Sequence, residues 1–311
     1  MVYIYRSAAS TGAKELAAAL NGKRLRGLEN GIGVRRVLGR DRQVRFQSGD
    51  VIVGWGQSVP ATGLPRGVRV LNGTRIQNKY DDAVALRAAG VNTVEVSKTI
   101  PTQRPTVTPD PAVALRQAVS EAMEEFQNAE LSRSAPYVRG LSDITVQINR
   151  LTQALGQPVP VAAPRPVGEW IARVYNHVGG NDLLTPPARA NYYSKKEAFV
   201  KEYRVHSFLG KSIRAGVKAP REGFTNPHPW IRSYDAGWTI RYDGVSSKKR
   251  HREIAHAAVE ALGLQFGAVD IGERADKSLV VLEVNRAAGL DGGTPQVYAN
   301  AIQKFINGEW S

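Results

Sequence analysis

Residues 279–290 read LVVLEVNRAAGL, a short apolar run that carries Glu283 and Asn285 two positions apart just before a turn. Alternate side chains along a strand share a face, so this carboxylate and this carboxamide point the same way. The preceding apolar stretch, QFGAVDIGE, carries Asp270, and the polar RADK turn between the two predicts a hairpin that brings Asp270 toward Glu283. Two carboxylates drawn together repel, and one must take up a proton unless a cation intervenes. A Mg²⁺ ion meets that need, because it takes oxygen ligands in near-octahedral geometry and commonly binds through one or two carboxylates. Asp270, Glu283 and Asn285 are therefore the candidate metal ligands, and the alternative is polar strand ends satisfied by loop backbone.

Several cations lie on elements that could face the same place. KEYRVHSFLGKSIRAGVK, residues 201–218, reads as two strands, in which Arg204 alternates with Tyr203 and Val205 and so points away from the apolar side. Lys218 ends the second strand. The structural alternative for Arg204 is cross-strand pairing with Glu202 or another surface acid. Arg173 lies on the strand EWIARVYN, just before the turn NHVGGND. Arg232 follows the Pro- and Gly-containing segment PREGFTNPHP.

The elements that must position these residues alternate along the chain. VYIYR, DVIVGWG and VRVLN read as strands, with helices from about Ser10 to Asn21 and over NKYDDAVALRAAGV, the latter stopped by Gly90. This predicts an N-terminal α/β domain over 1–102. Over 103–165, Asp110 and Pro111 provide helix-start signals. A second helix there carries Ile144, Ile148, Leu151 and Leu155 on one face. These inserted helices need a partner for their apolar faces, either the main body or a second copy in a homodimer. From 166 to 311 strands dominate again, with one amphipathic helix in KKRHREIAHAAVEALGL. The fold class expected is mixed α/β (α+β).

The 311-residue chain has 42 Lys+Arg against 28 Asp+Glu and no Cys, which excludes disulfides and thiolate metal sites. Residues 1–75 hold 13 Lys+Arg and 4 Asp+Glu, a surplus able to meet phosphates or carboxylates of a polyanion such as nucleic acid, or simply to solubilise the surface. No apolar run approaches the roughly 20 residues of a spanning helix, so a cytoplasmic protein with no membrane partner is expected. STGAK at 10–14 lacks a phosphate-loop ending, and the GIG of GLENGIGVRR precedes no helix pattern. His228, His251 and His256 form no metal-ligand set.

Taken together, ALGLQFGAVD, the following strand and EVNRAAGL resemble the C-terminal core of ATP-grasp proteins. KEYRVHSFLGKSIRAGVK is similar to a segment of phage-encoded members, and IRSYDAGW resembles the Arg-containing loop of the glutamate-ligase branch. The resemblance covers 166–305 and, more loosely, 50–100; the insert has no counterpart. It implies ATP and Mg²⁺ between two lobes, and a carboxylate–amine (or thiol) ligase working through an acyl phosphate on small-molecule or peptide substrates. Asp270, Glu283 and Asn285 then stand at the metal. Arg173, His177, Gly179, Gly180, Tyr192, Tyr193, Arg204 and Lys218 stand at the nucleotide, with Arg204, Lys218 and Arg232 in catalytic roles. A phage origin would place the protein in the host cytoplasm. EVNRAAGL departs from the family's EVNTAPGL at Arg286 and Ala288, positions that border the acceptor site. The alternative is a basic nucleic-acid-binding or virion-associated protein that keeps the fold without turnover.

Overall fold

A computed structural model describes residues 1–6, 11–38, 40–73, 78–100, 170–175, 189–243, 245, 248–287, 289 and 293–310. The helices expected over 103–165 and the turn bearing His177, Gly179 and Gly180 lie outside the described residues. In chain order the N-terminal elements are β1 (Val2–Tyr5), α1 (Thr11–Ala19), β2 (Lys23–Leu25), β3 (Gly27–Glu29), β4 (Ile32–Val37), β5 (Arg40–Arg45), β6 (Val51–Gly54), β7 (Arg69–Leu71), α2 (Lys79–Ala88) and β8 (Val96–Ser97). They are followed by β9 (Trp170–Arg173), β10 (Tyr192–Lys195), β11 (Lys201–Phe208), β12 (Lys211–Pro220) and β13 (Trp238–Arg241), then α3 (Lys249–Ala261), β14 (Phe266–Glu273), β15 (Leu279–Asn285) and α4 (Thr294–Ile306).

The apolar runs VYIY and VIVG are buried at every position and form the centre of a parallel sheet in the order β2-β1-β6-β7. Continuous apolar runs of this kind mark strands covered on both faces. One cover is α1, whose Ala13, Leu16 and Ala17 are buried against the same cluster as Val2, Ile4, Val51 and Val53. That cluster continues through Trp55, which stacks on Phe266 at 5.5 Å and meets the Tyr298 ring edge-on at 5.2 Å, so β14 and α4 share a core with the N-terminal sheet. Asn72, in the left-handed region at φ 54°, adds a polar tie: its side chain donates to the Phe266 carbonyl at 2.9 Å and accepts from the Gln265 and Phe266 amides.

Residues 27–45 form a separate antiparallel sheet, β3-β4-β5, where the sequence reading placed no strands. The β3–β4 connection turns at Asn30 and Gly31, both with positive φ (48° and 74°), the conformation that favours Asn-Gly in tight hairpins.

The five-stranded antiparallel sheet, β13-β12-β11-β14-β15, presents one apolar face and one polar face. Val205, Val269, Ile271 and Val281 pack on Ala255, Ala258, Val259 and Leu262 of α3 and the following residue, with Leu86 of α2 closing the edge. Glu202, Arg204 and His206 alternate with that apolar set along β11 and so occupy the opposite face. A third antiparallel sheet, β8-β10-β9, lies across the cavity from this polar face, and its Tyr192 and Arg173 are directly paired in register. Among the described residues no helix is long and apolar enough to cross a membrane.

Candidate nucleotide and metal site

The hairpin predicted from QFGAVDIGE and SLVVLEVN forms as expected, with Asp270 directly opposite Glu283. A register shift just after Asp270 sets Leu282 as the extra residue between the pairs Asp270↔Glu283 and Ile271↔Val281. Asn285 lies on the Glu283 side and donates Nδ2–H to Glu283 Oε1 at 2.9 Å.

Arg204 sits opposite Asp270 on the neighbouring strand and clasps it with two bonds, Nε to Oδ1 at 2.6 Å and Nη2 to Oδ2 at 2.8 Å. Lys218 Nζ bridges Glu202 at 2.8 Å and Asp270 at 3.6 Å. Glu202 thus takes Lys218, and Arg204, for which Glu202 or another surface acid was the structural alternative, takes the buried Asp270. Two further cations complete the set. Lys79, in the first turn of α2, contacts Glu283 Oε2 at 2.5 Å. Arg232 donates Nη2–H to the Phe199 carbonyl at 2.7 Å and places Nε 3.7 Å from Glu202. Gly216 stands opposite Arg204 on β12 because a Cβ there would lie 2.5 Å from the Ile240 side chain and 2.9 Å from the Tyr242 ring.

These groups perturb one another. Burial alone would raise the Asp270 pKa, but the charges of Arg204 and Lys218 outweigh it and hold the carboxyl below the usual carboxylate range. Glu283 behaves alike: burial pushes it up, and Lys79 and the Asn285 amide pull it well down. Lys218 would lose its proton more easily through burial, yet Asp270 and Glu202 raise its pKa. All three therefore stay charged at neutral pH. Beside them the fully buried His206 is bracketed by the Tyr298 hydroxyl at 3.1 Å and the Tyr242 hydroxyl at 3.0 Å. Burial first, and the Arg204 charge second, lower its pKa to about 3, so it is neutral.

The polar face lines a cavity of about 390 Å³ that is also lined by Ile171, Arg173, Tyr192 and Ser194 on β9 and β10. That volume suits a bound small molecule. Tyr192 packs with its ring 6.1 Å from Tyr175 and 5.8 Å from Tyr80. Tyr193 follows it on the opposite face of β10 and does not line the cavity. The PREGFTNPHP segment is tied to the residues that follow it: His228 Nδ1 accepts from the Ile231 amide at 3.0 Å, and its carbonyl accepts from Trp238 Nε1 at 2.9 Å. Within the lining, the buried Arg232 Nε and Ser233 Oγ make no hydrogen bond, a donor arrangement suited to an anionic ligand group. Arg286, which the resemblance sets at the border of the acceptor site, ties the end of β15 to α2 through Asp82 at 2.8 Å.

Asp270, Glu283 and Asn285 offer hard oxygens on adjacent strands, the donor type Mg²⁺ prefers. In the structure Arg204, Lys218 and Lys79 occupy the carboxylates. The donor set fits the ion.

A three-stranded and a five-stranded antiparallel sheet facing each other across a charged cavity, joined to a parallel N-terminal sheet, make up an ATP-grasp fold. Solved structures share it. The chain resembles the ATP-grasp ligase PsnB complexed with minimal precursor at TM-score 0.50 and 13% identity, over 97% of this chain and 98% of that one. The same protein complexed with minimal precursor, Mg and ADP gives TM-score 0.50 and 13% identity over 98% of each chain. D-cycloserine synthetase DcsG aligns at TM-score 0.48 and 14% identity, over 98% of this chain and 99% of that one. No family model and no curated protein matches the chain.

Sequence reasoning names Glu202 only as an alternative partner of Arg204 and does not single out Lys79 or His206. Glu202 and His206 flank Arg204 at strand spacing, so alternation alone places them on its face. Lys79 carries no such signal, since nothing local ties it to a carboxylate 204 residues away.

Proposed function

We propose that the chain is an ATP-dependent ligase that joins a carboxylate, on a small molecule or a peptide, to an amine or thiol. The observation that carries this reading is the cavity itself, where Glu202, Asp270 and Glu283 meet Arg204 and Lys218 on adjacent strands, Lys79 on α2 and Arg232 before β13. The fold supports it, being shared with a ligase whose structure holds Mg and ADP.

Asp270, Glu283 and Asn285 would hold Mg²⁺, which when bound supplies charge neutralisation at the phosphate oxygens. Arg173, Arg204 and Lys218 position the triphosphate and offset its charge, and the ring of Tyr192 adds an aromatic surface on the β9–β10 wall. The substrate carboxylate attacks the γ-phosphorus and ADP leaves, giving an acyl phosphate. The amine or thiol then attacks the acyl carbon and inorganic phosphate departs. The Arg232 guanidinium, with Nε free of a hydrogen bond, is placed to grip the acyl phosphate. No protein nucleophile is required, because positioning and preorganised charge supply the rate.

The test uses hydroxylamine as the acceptor with a panel of amino acids and peptides. The expected outcome is ADP release matched by hydroxamate, both requiring Mg²⁺ and both reduced at least ~100-fold in Lys218→Met, the order of loss for one preorganised electrostatic group. ATP hydrolysis without hydroxamate would contradict acyl-phosphate formation.

A further inference from the structure

We propose that β4 and β5 form an arm that docks into the major groove of duplex DNA, independently of the cavity chemistry. The arm carries Arg35, Arg36, Arg40, Arg42 and Arg45 within a stretch whose one acid, Asp41, is paired with Arg26 at 3.3 Å. Its register sets Arg35 directly opposite Arg42, a like-charge pairing that weakens a sheet when nothing neutralises it. Packing does not account for Arg40, Arg42 and Arg45, which are all exposed on β5. β3 pairs only with residues 32–34, so the outer part of the hairpin is two-stranded, the width a B-form major groove admits.

The hairpin end decides between kinds of polyanion. Leu38, which follows β4 at the hairpin end, is 98% exposed and adopts φ 50°, a left-handed conformation that leucine disfavours. An apolar tip flanked by arginines is complementary to a groove with phosphate walls and thymine methyl groups on its floor. An acidic peptide would leave that tip without a counterpart. The positive surface continues onto the body, where Arg6, Lys14, Lys23 and Arg24 join Arg35 and Arg36 around a cavity of about 560 Å³. Guanidinium groups suit this task through bidentate contacts to phosphate.

The test is anisotropy of a labelled short DNA duplex titrated with the full chain, without nucleotide or Mg²⁺. Neutralising about five phosphates predicts a slope of log K against log salt near −4.5, a loss of roughly 500-fold between about 50 and 200 mM salt. Replacing Arg35 and Arg42 with serine removes an opposed like-charge pair and so spares the hairpin. It should reduce the slope by about 2. Leu38→Asn, which relieves the backbone strain, should weaken binding severalfold at unchanged slope. Equal binding of duplex RNA, equal competition by polyglutamate, or full affinity in Leu38→Asn would each overturn groove docking. Absence of salt-dependent binding in the unaltered chain would overturn it outright.

Discussion

Replacing Arg204 with methionine is expected to lower the unfolding free energy by about 3–5 kcal/mol at neutral pH, the range for removing one partner of a buried ion pair. Asp270 is 3% exposed, and both of its oxygens are bonded by the Arg204 guanidinium. Without it the carboxylate keeps only Lys218 at 3.6 Å, which already serves Glu202. Replacing Asp270 with leucine as well removes the stranded charge, and the double variant should recover most of the lost stability. Neither variant should release ADP with any carboxylate. Urea unfolding read beside the ADP assay separates the two roles of the pair: stability returns in the double variant and activity does not. A double variant as unstable as Arg204→Met would show that Asp270 is not the group left uncompensated.

Acidification should destabilise the protein from about pH 6.5 downward, with His206 contributing a slope of up to about 1.4 kcal/mol per pH unit. The sign follows from its environment. The unfolded chain binds the imidazole proton near pH 6.5, whereas the native site, buried between two tyrosine hydroxyls, resists it until about 3. Stability from this residue is therefore complete above 6.5 and is lost as pH falls toward 3. Asp270 and Glu283, depressed below the carboxylate range, lose their contribution only at lower pH. His251 and His256, also lowered chiefly by burial, add to the same window. The diagnostic comparison is thus His206→Gln against the unaltered chain, with denaturant midpoints taken between pH 5 and 6. The variant should lose close to one proton's worth of slope, and an unchanged slope would contradict a neutral buried His206.

The strand pair carrying the candidate metal ligands was legible because its apolar runs, turn and polar residues agree on a hairpin that sets Asp270 opposite Glu283, which the structure shows. The three-stranded arm was missed for a different reason. Its strands are short and arginine-rich and lack an apolar alternation, while the Asn30-Gly31 turn signal lay inside a segment weighed only as a glycine motif. Alternation also separates Tyr192 from Tyr193, a distinction available before the structure. Partner choice was not available: whether Arg204 meets Glu202 or Asp270 depends on which strand lies beside β11 and in which register. The approach of Lys79 to Glu283 depends on packing α2 against the far edge of the sheet, which no local pattern encodes.

Mg²⁺-ATP is expected to occupy the cavity with its metal on the β14–β15 hairpin. Calorimetric titration of ATP into the protein, with and without Mg²⁺ and beside Glu283→Gln, tests it most directly. Saturable binding that requires Mg²⁺ and is weakened at least tenfold in the variant, about 1.4 kcal/mol, is the predicted result. Binding of equal strength in the variant, or no binding with Mg²⁺ present, would contradict it.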